Sequence, residues 1–296
     1  MKNGRVDLHI HSSNSSDGDY APAELLRMAK QKGLRAISIS DHDTVGAYPE
    51  ALESSREIGV ELIPSIELTT LFDGREFHLL LPFVHWQSRV LTRILATVTR
   101  ARMEEARERV AKLQALGFNI GWDEVIRHTR GEPPLGVSIA QVLIDKGRKE
   151  KTPALKKYTE GPNLVFAPYL FYRDYFLEDR PAFVPRRTIS LLKVLSEMSS
   201  DGAVPVLAHP GAYFERATRE DLVALKERGL AGLEVFSSYH DPHQVQSYRV
   251  LAEDLNLVIT AGSDFHGRIK PQVVFGQLKE GTYDMVEALR ERRRGE

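Results

Sequence analysis

The chain has 296 residues, 42% of them hydrophobic and 27% charged, with a formal net charge of −1. That length buries a full core and fits one barrel-sized domain, or a barrel carrying an insertion. The near-neutral charge argues against a broad surface for long duplex nucleic acid, and zero cysteines exclude disulfides, thiolate nucleophiles and Cys-ligated zinc.

Strand and helix alternate over the first eighty residues, the pattern of a parallel α/β arrangement. A first strand around Val6–Leu8 carries His9 and His11, whose i, i+2 spacing projects both imidazoles to one face. A Ser-rich loop from Ser12 to Gly18 follows, then a helix from Pro22 to Lys32 with Leu25, Leu26 and Ala29 as its apolar stripe and Gly33 as its stop. The strand Ala36–Ser40 leads into Asp41-His42-Asp43, and a helix over Tyr48–Ile58 ends at Gly59. Val60–Ser65 reads as a strand bringing in Glu67, and Phe77–Leu81 as one carrying His78.

From Ser88 the pattern changes to a long charged helix stopped by Gly117. Short helical pieces broken by prolines fill 118–187, so 88–188 is expected to be an inserted, mostly helical cap. The α/β alternation of 1–87 then resumes over 189–296. A helix over Thr188–Ser199 precedes the strand Val204–Ala208 and His209. A helix Arg219–Glu227 precedes Gly232–Phe236, and a helix Gln244–Asp254 precedes Val258–Ala261 and Asp264.

Six of the ten histidines lie in or at the ends of these expected strands. A lone strand-end histidine is ordinarily a hydrogen-bonded structural residue, and His85 and His128 are read that way. Asp41-His42-Asp43 alone suits a helix cap or turn, and Asp17-Gly18 a turn. The conjunction is what these readings leave unexplained: strand after strand ends in His, Asp or Glu while its other positions are apolar. One multinuclear metal site accounts for all of them together.

The series His9-x-His11, Ser16-Asp17-Gly18, Ser40-Asp41-His42-Asp43, Glu67, His78, His209-Pro210-Gly211 and Gly262-Ser263-Asp264-Phe265-His266 resembles the motifs of the PHP (polymerase and histidinol phosphatase) family. The resemblance covers nearly the whole chain. Within the family it most resembles the stand-alone bacterial phosphoesterases related to nucleoside 3′,5′-bisphosphate phosphatase. It implies a distorted seven-stranded (β/α) barrel with a cap inserted after the fourth strand. It also implies a trinuclear centre of divalent cations, two to three in number, with manganese favoured over iron or zinc. His9, His11, Glu67 and Asp264 would hold the first ion. Glu67 would bridge to a second, also bound by His78 and His209, and Asp17, His42 and His266 would hold a third.

The chemistry so implied is phosphoester hydrolysis, in which a hydroxide held between two cations bridged by Glu67 attacks phosphorus. Asp43 and His240 are the candidate general acids, and His240 and His243 lie in a loop just after an expected strand. Family caps open a helix with a Gly-Arg-x-His stretch. This chain reads Leu135-Gly136-Val137-Ser138, so Gly136 and Ser138 stand where that arginine and histidine would be. A hydroxyl does not replace a bidentate guanidinium at phosphate. Arg186 and Arg187 are therefore the candidate substrate contacts with Ser138, followed by Lys156, Lys157 and Arg173. The expected activity is that of a metal-dependent phosphatase or phosphodiesterase on a small nucleotide or sugar phosphate. The alternatives are an exonuclease or diesterase acting on very short oligonucleotides or cyclic phosphates, and a non-catalytic metal-binding scaffold. The N-terminal stretch lacks the apolar core of a secretory signal and no apolar window is long enough to span a bilayer, so a cytoplasmic protein without membrane contact is expected. The oligomeric state is left open.

Overall fold

A computed structural model describes residues 4–161, 164–198, 201–212 and 216–294. The strands are β1 (Arg5–Ile10), β2 (Leu34–Ile39), β3 (Glu61–Leu62), β4 (Glu67–Phe72), β5 (Arg75–Leu80), β6 (Ile189–Ser190), β7 (Val206–Leu207), β8 (Gly232–Ser237) and β9 (Val258–Gly262). The helices are α1 (Pro22–Gln31), α2 (Tyr48–Ile58), α3 (Arg89–Ala115), α4 (Trp122–His128), α5 (Gly136–Glu150), α6 (Lys156–Thr159), α7 (Ala167–Tyr175), α8 (Leu191–Met198), α9 (Arg219–Lys226), α10 (Pro242–Asp254) and α11 (Tyr283–Arg294). Two compact units result, one of Met1–Ala96 with Ile189–Glu296, the other of Thr97–Thr188.

Local chemistry explains the boundaries. Pro22 opens α1 with φ already suited to a helix, and the Glu24 carboxylate accepts from the Ala21 N–H at 2.8 Å. Leu25, Leu26 and Ala29 are fully buried, as their spacing on one helix face requires. Gly59 ends α2 at φ 74°, a left-handed position that costs a glycine little.

The sequence reading of Val60–Ser65 as one strand delivering Glu67 needs correction. Only Glu61–Leu62 pair there, and Glu67 begins a separate strand, β4. β4 and β5 form an antiparallel hairpin turned by Asp73-Gly74, both residues at positive φ. Likewise Ile189–Ser190 is a strand beside β4, so α8 starts at Leu191.

The first unit is an α/β assembly with two open sheets. One has the order β1-β2-β3, all parallel; the other has the order β6-β4-β5-β7-β8-β9, antiparallel on both sides of β5. The ladders therefore do not run as one closed ring of seven parallel strands. The sheets meet through isolated bridges, Ile10 with Phe265 and His42 with Glu67. The ladders stop where Asp43 (φ 54°), His209 (φ 24°) and Asp264 (φ 56°) take left-handed backbone. Such residues cannot continue a strand, so the backbone leaves the ladder at each of these three positions.

The second unit is helical among its described residues. Its core joins Val110 and Leu113 of α3, Ile139 and Leu143 of α5, and Phe171 of α7 with Phe176. The aromatic stretch Phe166–Phe176 is largely used there: Phe171 is fully buried and stacks on Tyr175 at 4.4 Å, whereas Phe166 is exposed. No helix of the described residues is long and apolar enough to cross a membrane.

Candidate metal centre

The ends of β1, β2, β4, β5, β7 and β9 all deliver a residue to one interior point of the first unit. Glu67, the first residue of β4 and fully buried, is its centre. Its Oε2 lies 3.1 Å from His9 Nε2, 3.1 Å from His11 Nε2 and 3.1 Å from His42 Nδ1. Its Oε1 lies 2.8 Å from His78 Nδ1 and 3.0 Å from His209 Nε2. Five imidazoles thus share one carboxylate. Asp264 Oδ1 approaches His11 Nε2 at 2.9 Å and His9 Nε2 at 3.3 Å, while His266 Nε2 meets Asp17 Oδ2 at 3.2 Å. The nine residues expected to be ligands converge. Three groups of them place candidate ligand atoms within 4.8 Å of one another: His9, His11, Glu67 and Asp264; His11, Asp17, His42 and His266; and His42, Glu67 and His78. His42 thus belongs with Glu67 and His78 as well as with Asp17 and His266.

Several of these atoms are buried without a hydrogen-bond partner: His42 Nδ1, Glu67 Oε2, Asp264 Oδ1, His266 Nε2 and His11 Nδ1. Buried polar atoms are ordinarily satisfied, so a cluster of close but misaligned donor atoms needs a further group. Divalent cations fit it. The donor set is imidazole and carboxylate without thiolate, the type that suits Mn²⁺, Fe²⁺ or Zn²⁺.

Residues behind the cluster aim it. His9 Nδ1 lies 3.1 Å from Glu234 Oε1, and His266 Nδ1 lies 2.8 Å from the carbonyl of Asp264. An imidazole that donates from one nitrogen presents the lone pair of the other, the usual arrangement behind metal-ligating histidines. Glu234 also accepts from the His209 backbone N–H at 2.9 Å, tying β1 to the loop after β7. Gly262 makes this possible, because a Cβ there would lie 2.1 Å from Glu234 Oε1 and 2.2 Å from His9 Cβ. Asp264 Oδ2 accepts from Tyr239 Oη and from the buried Lys270 ammonium, each at 2.5 Å, leaving Oδ1 to face the cluster. Asp41 holds Ser12 through N–H and hydroxyl, both at 2.6 Å. Glu234, Tyr239 and Lys270 escaped the sequence reading.

The electrostatics separate acids from bases. Burial pushes the Glu67 carboxyl up, but His9, His42 and His78 outweigh it and hold the group well below the carboxylate range. Asp264 is held low in the same way, against burial, by Lys270, His266 and His9, and Asp17 by His266 and His42. Burial opposes protonation of His11, yet Asp264 and Glu67 push it up to about 9. His42 goes the other way, its charged form disfavoured by burial and by His11 and His78. The carboxylates are thus held ionised in part by protonated imidazoles, whose protons a divalent cation would displace on binding.

The two candidate acids are each held by hydrogen bonds. His240 has both ring nitrogens on backbone, Nδ1 with the Val235 carbonyl at 2.8 Å and Nε2 accepting from the Gly211 N–H at 3.0 Å. Asp43 accepts from the Thr69 N–H and hydroxyl at 2.9 and 3.1 Å and so pins β4 beside the His42 loop. His85, His128 and His243 are exposed. In the helical unit Arg187 pairs with Glu108 at 3.0 Å on the surface, Arg186 donates to Tyr172 Oη at 2.6 Å, and Ser138 is buried in α5. Lys157 and Arg173 are spent on Asp174, and Lys156 on Glu160.

Residues 7–130 match the model of the PHP domain. The match spans the motifs of β1, the Asp41-His42-Asp43 loop, β4 and β5 that build the centre. The likeness to the PHP family is carried by this stretch. It is 27% identical to a 5′-3′ exoribonuclease of Haemophilus influenzae, over 88% of this chain and 90% of that one. It is 25% identical to a 3′,5′-nucleoside bisphosphate phosphatase of Chromobacterium violaceum, over 88% and 87%. Among solved structures, one from Bifidobacterium adolescentis, assigned as a metal-dependent phosphoesterase, superposes with a TM-score of 0.80 at 27% identity. It covers 97% of this chain and 96% of that one. With the centre described above, this chain is a metal-dependent phosphoric ester hydrolase.

Proposed function

We propose that this protein hydrolyses a phosphate ester of a small nucleotide or sugar, using cations held by His9, His11, Asp17, His42, Glu67, His78, His209, Asp264 and His266. The observation that carries the reading is Glu67, whose two oxygens are each within 3.1 Å of separate imidazole sets, the arrangement a bridging ligand needs. Divalent cations there, manganese foremost, supply Lewis acidity toward phosphoryl oxygens and water activation near neutral pH. The protein's own part is to keep the carboxylates ionised, present imidazole lone pairs inward through Glu234 and the Asp264 carbonyl, and fix Asp264 through Tyr239 and Lys270. A scaffold without catalysis has no need of a cluster whose atoms outrun one tetrahedral shell.

A second reading, a diesterase trimming very short oligonucleotides, is favoured by the full-length likeness to the Haemophilus exoribonuclease. Hydrolysis of p-nitrophenyl phosphate and of its bis-ester by manganese-loaded protein separates the two. Turnover of the mono-ester supports a phosphatase, and turnover of the bis-ester alone supports the diesterase. No turnover of either by protein shown to carry metal overturns both.

A further inference from the structure

Two loops meet at the Asp17, His42 and His266 group of the centre, and a contact on their outer side joins them. The loop after β1 carries Asp17 and is folded on itself. The Ser13 N–H donates to the Tyr20 carbonyl at 2.7 Å and the Ser15 N–H to the Ser12 carbonyl at 3.0 Å. The Ser15 hydroxyl donates to Asp17 Oδ1 at 2.5 Å, which leaves Oδ2 to face His266 Nε2 at 3.2 Å and His42 Nε2 at 3.8 Å. The loop after β9 carries His266. Two residues past Asp17, the Asp19 carboxylate accepts from Arg268, which stands two residues past His266. Three donors take part: the Arg268 backbone N–H, Nε at 3.3 Å and Nη2 at 3.1 Å. Gly267, at φ 80°, permits the approach, because a Cβ there would lie 2.7 Å from Asp19 Oδ2. The Tyr20 ring also stacks on Phe265 at 5.7 Å.

A lone surface ion pair contributes little, and the Arg268 side chain is 87% exposed. The geometry here is better than that of a lone pair. The guanidinium reaches both oxygens of Asp19 and the backbone N–H adds a third bond, so one loop is fixed in register on the other. Asp17 needs such support more than its neighbours do. His9, Glu67 and His78 lie within the paired strands β1, β4 and β5, whereas Asp17 lies in a loop.

We propose that Asp19 and Arg268 form a latch that sets how tightly Asp17, His42 and His266 hold a cation, without governing the ions on Glu67. Both are positioning residues, and the inference rests on the metal-centre reading given above. The latch acts with a sign opposite to that of charge alone. Removing a positive group beside a cation site strengthens binding through the Coulomb term, whereas opening the latch weakens it by letting Asp17 and His266 part.

Manganese binding to chelator-stripped protein, read from the electron paramagnetic resonance of free Mn²⁺, tests this directly. Wild type is expected to hold its ions in a tighter and a weaker class, with Asp17→Asn abolishing the weaker one. Arg268→Ala is expected to weaken that class alone by about tenfold, the usual scale for a group behind a ligand, and Arg268→Lys to recover part of the loss. Arg249→Ala removes an exposed cation from α10 and is expected to change binding less than about twofold. Salt screens an exposed pair, so raising NaCl from about 0.05 to about 0.5 M should bring wild type toward Arg268→Ala. Binding in Arg268→Ala equal to or tighter than wild type, or an equal loss in every class, overturns the latch. Wild type that holds no manganese overturns the centre and the latch with it, so the two failures are distinct. Should Arg268→Ala fail to fold by circular dichroism, Arg268→Lys and the salt response of wild type carry the same test.

Discussion

Glu67 is the residue on which the centre turns, since among the described residues no other side chain touches His9, His11, His42, His78 and His209 together. Glu67→Gln keeps the shape and removes the charge. It is expected to lower tightly bound manganese and phosphoester hydrolysis in parallel, by at least about tenfold. Normal activity at normal metal content would refute the bridging role. Lys270 tests the support behind Asp264, because the pair is buried to 6% and 2% side-chain exposure. Breaking a buried pair strands the remaining charge, so Lys270→Met is expected to cost about 3 kcal/mol in metal-free protein. Manganese should narrow the loss by giving Asp264 a new counter-charge; urea unfolding with and without the metal reads the difference. The convergent His, Asp and Glu were legible because each ends an apolar run, where chemistry and strand period coincide. Glu234 left a weaker mark as the one acid in the strand Gly232–Ser237, whereas Tyr239 and Lys270 left none. Their role depends on how the chain returns to Asp264, which no local pattern encodes.

Among the elements, helices with strong punctuation were legible in the sequence: α1 with Pro22 and Gly33, α2 with Gly59. The β4–β5 hairpin was not, although Asp73-Gly74 is the turn pair whose positive φ suits a tight hairpin. Only its second strand is read, as Phe77–Leu81, because Glu67 is taken as the residue that closes Val60–Ser65 rather than as the start of Glu67–Phe72. The hairpin matters, since it sets His78 opposite Thr69 and beside Glu67. Its outer end is tied to α9 by Arg75 and Asp221, and Asp221 also closes a capping box with Thr218. Burial raises the Asp221 carboxyl, but Arg75 and Thr218 overcome this and hold it below its ordinary value. A depressed folded-state value means stability that is present above the unfolded-state value and lost as pH falls through the folded one. Asp221→Asn is therefore expected to cost about 1–2 kcal/mol at pH 7, where cap and pair both act. The gap from wild type should close in strong acid. A gap of the same size at a pH of about 2.5 in urea titrations would contradict the assignment.

For the molecule as a whole, the sequence reading expects a helical insertion over 88–188 between two α/β segments, whereas the two compact units part within α3, after Ala96, and again after Thr188. It did not convey that the α/β ladders form two open sheets, because single bridges such as Ile10 with Phe265 and His42 with Glu67 join segments apart in sequence and leave no mark in the strand pattern. Nor did it convey that Asp19 and Arg268, 249 residues apart, would meet beside Asp17 and His266. Everything at this scale rests on cations held where the strand ends meet. Anomalous diffraction from crystals soaked in manganese tests it most directly. At least two peaks are predicted within bonding distance of the Glu67 oxygens and the surrounding imidazoles. Peaks absent from that cluster, in crystals that show manganese elsewhere or nowhere, would contradict it.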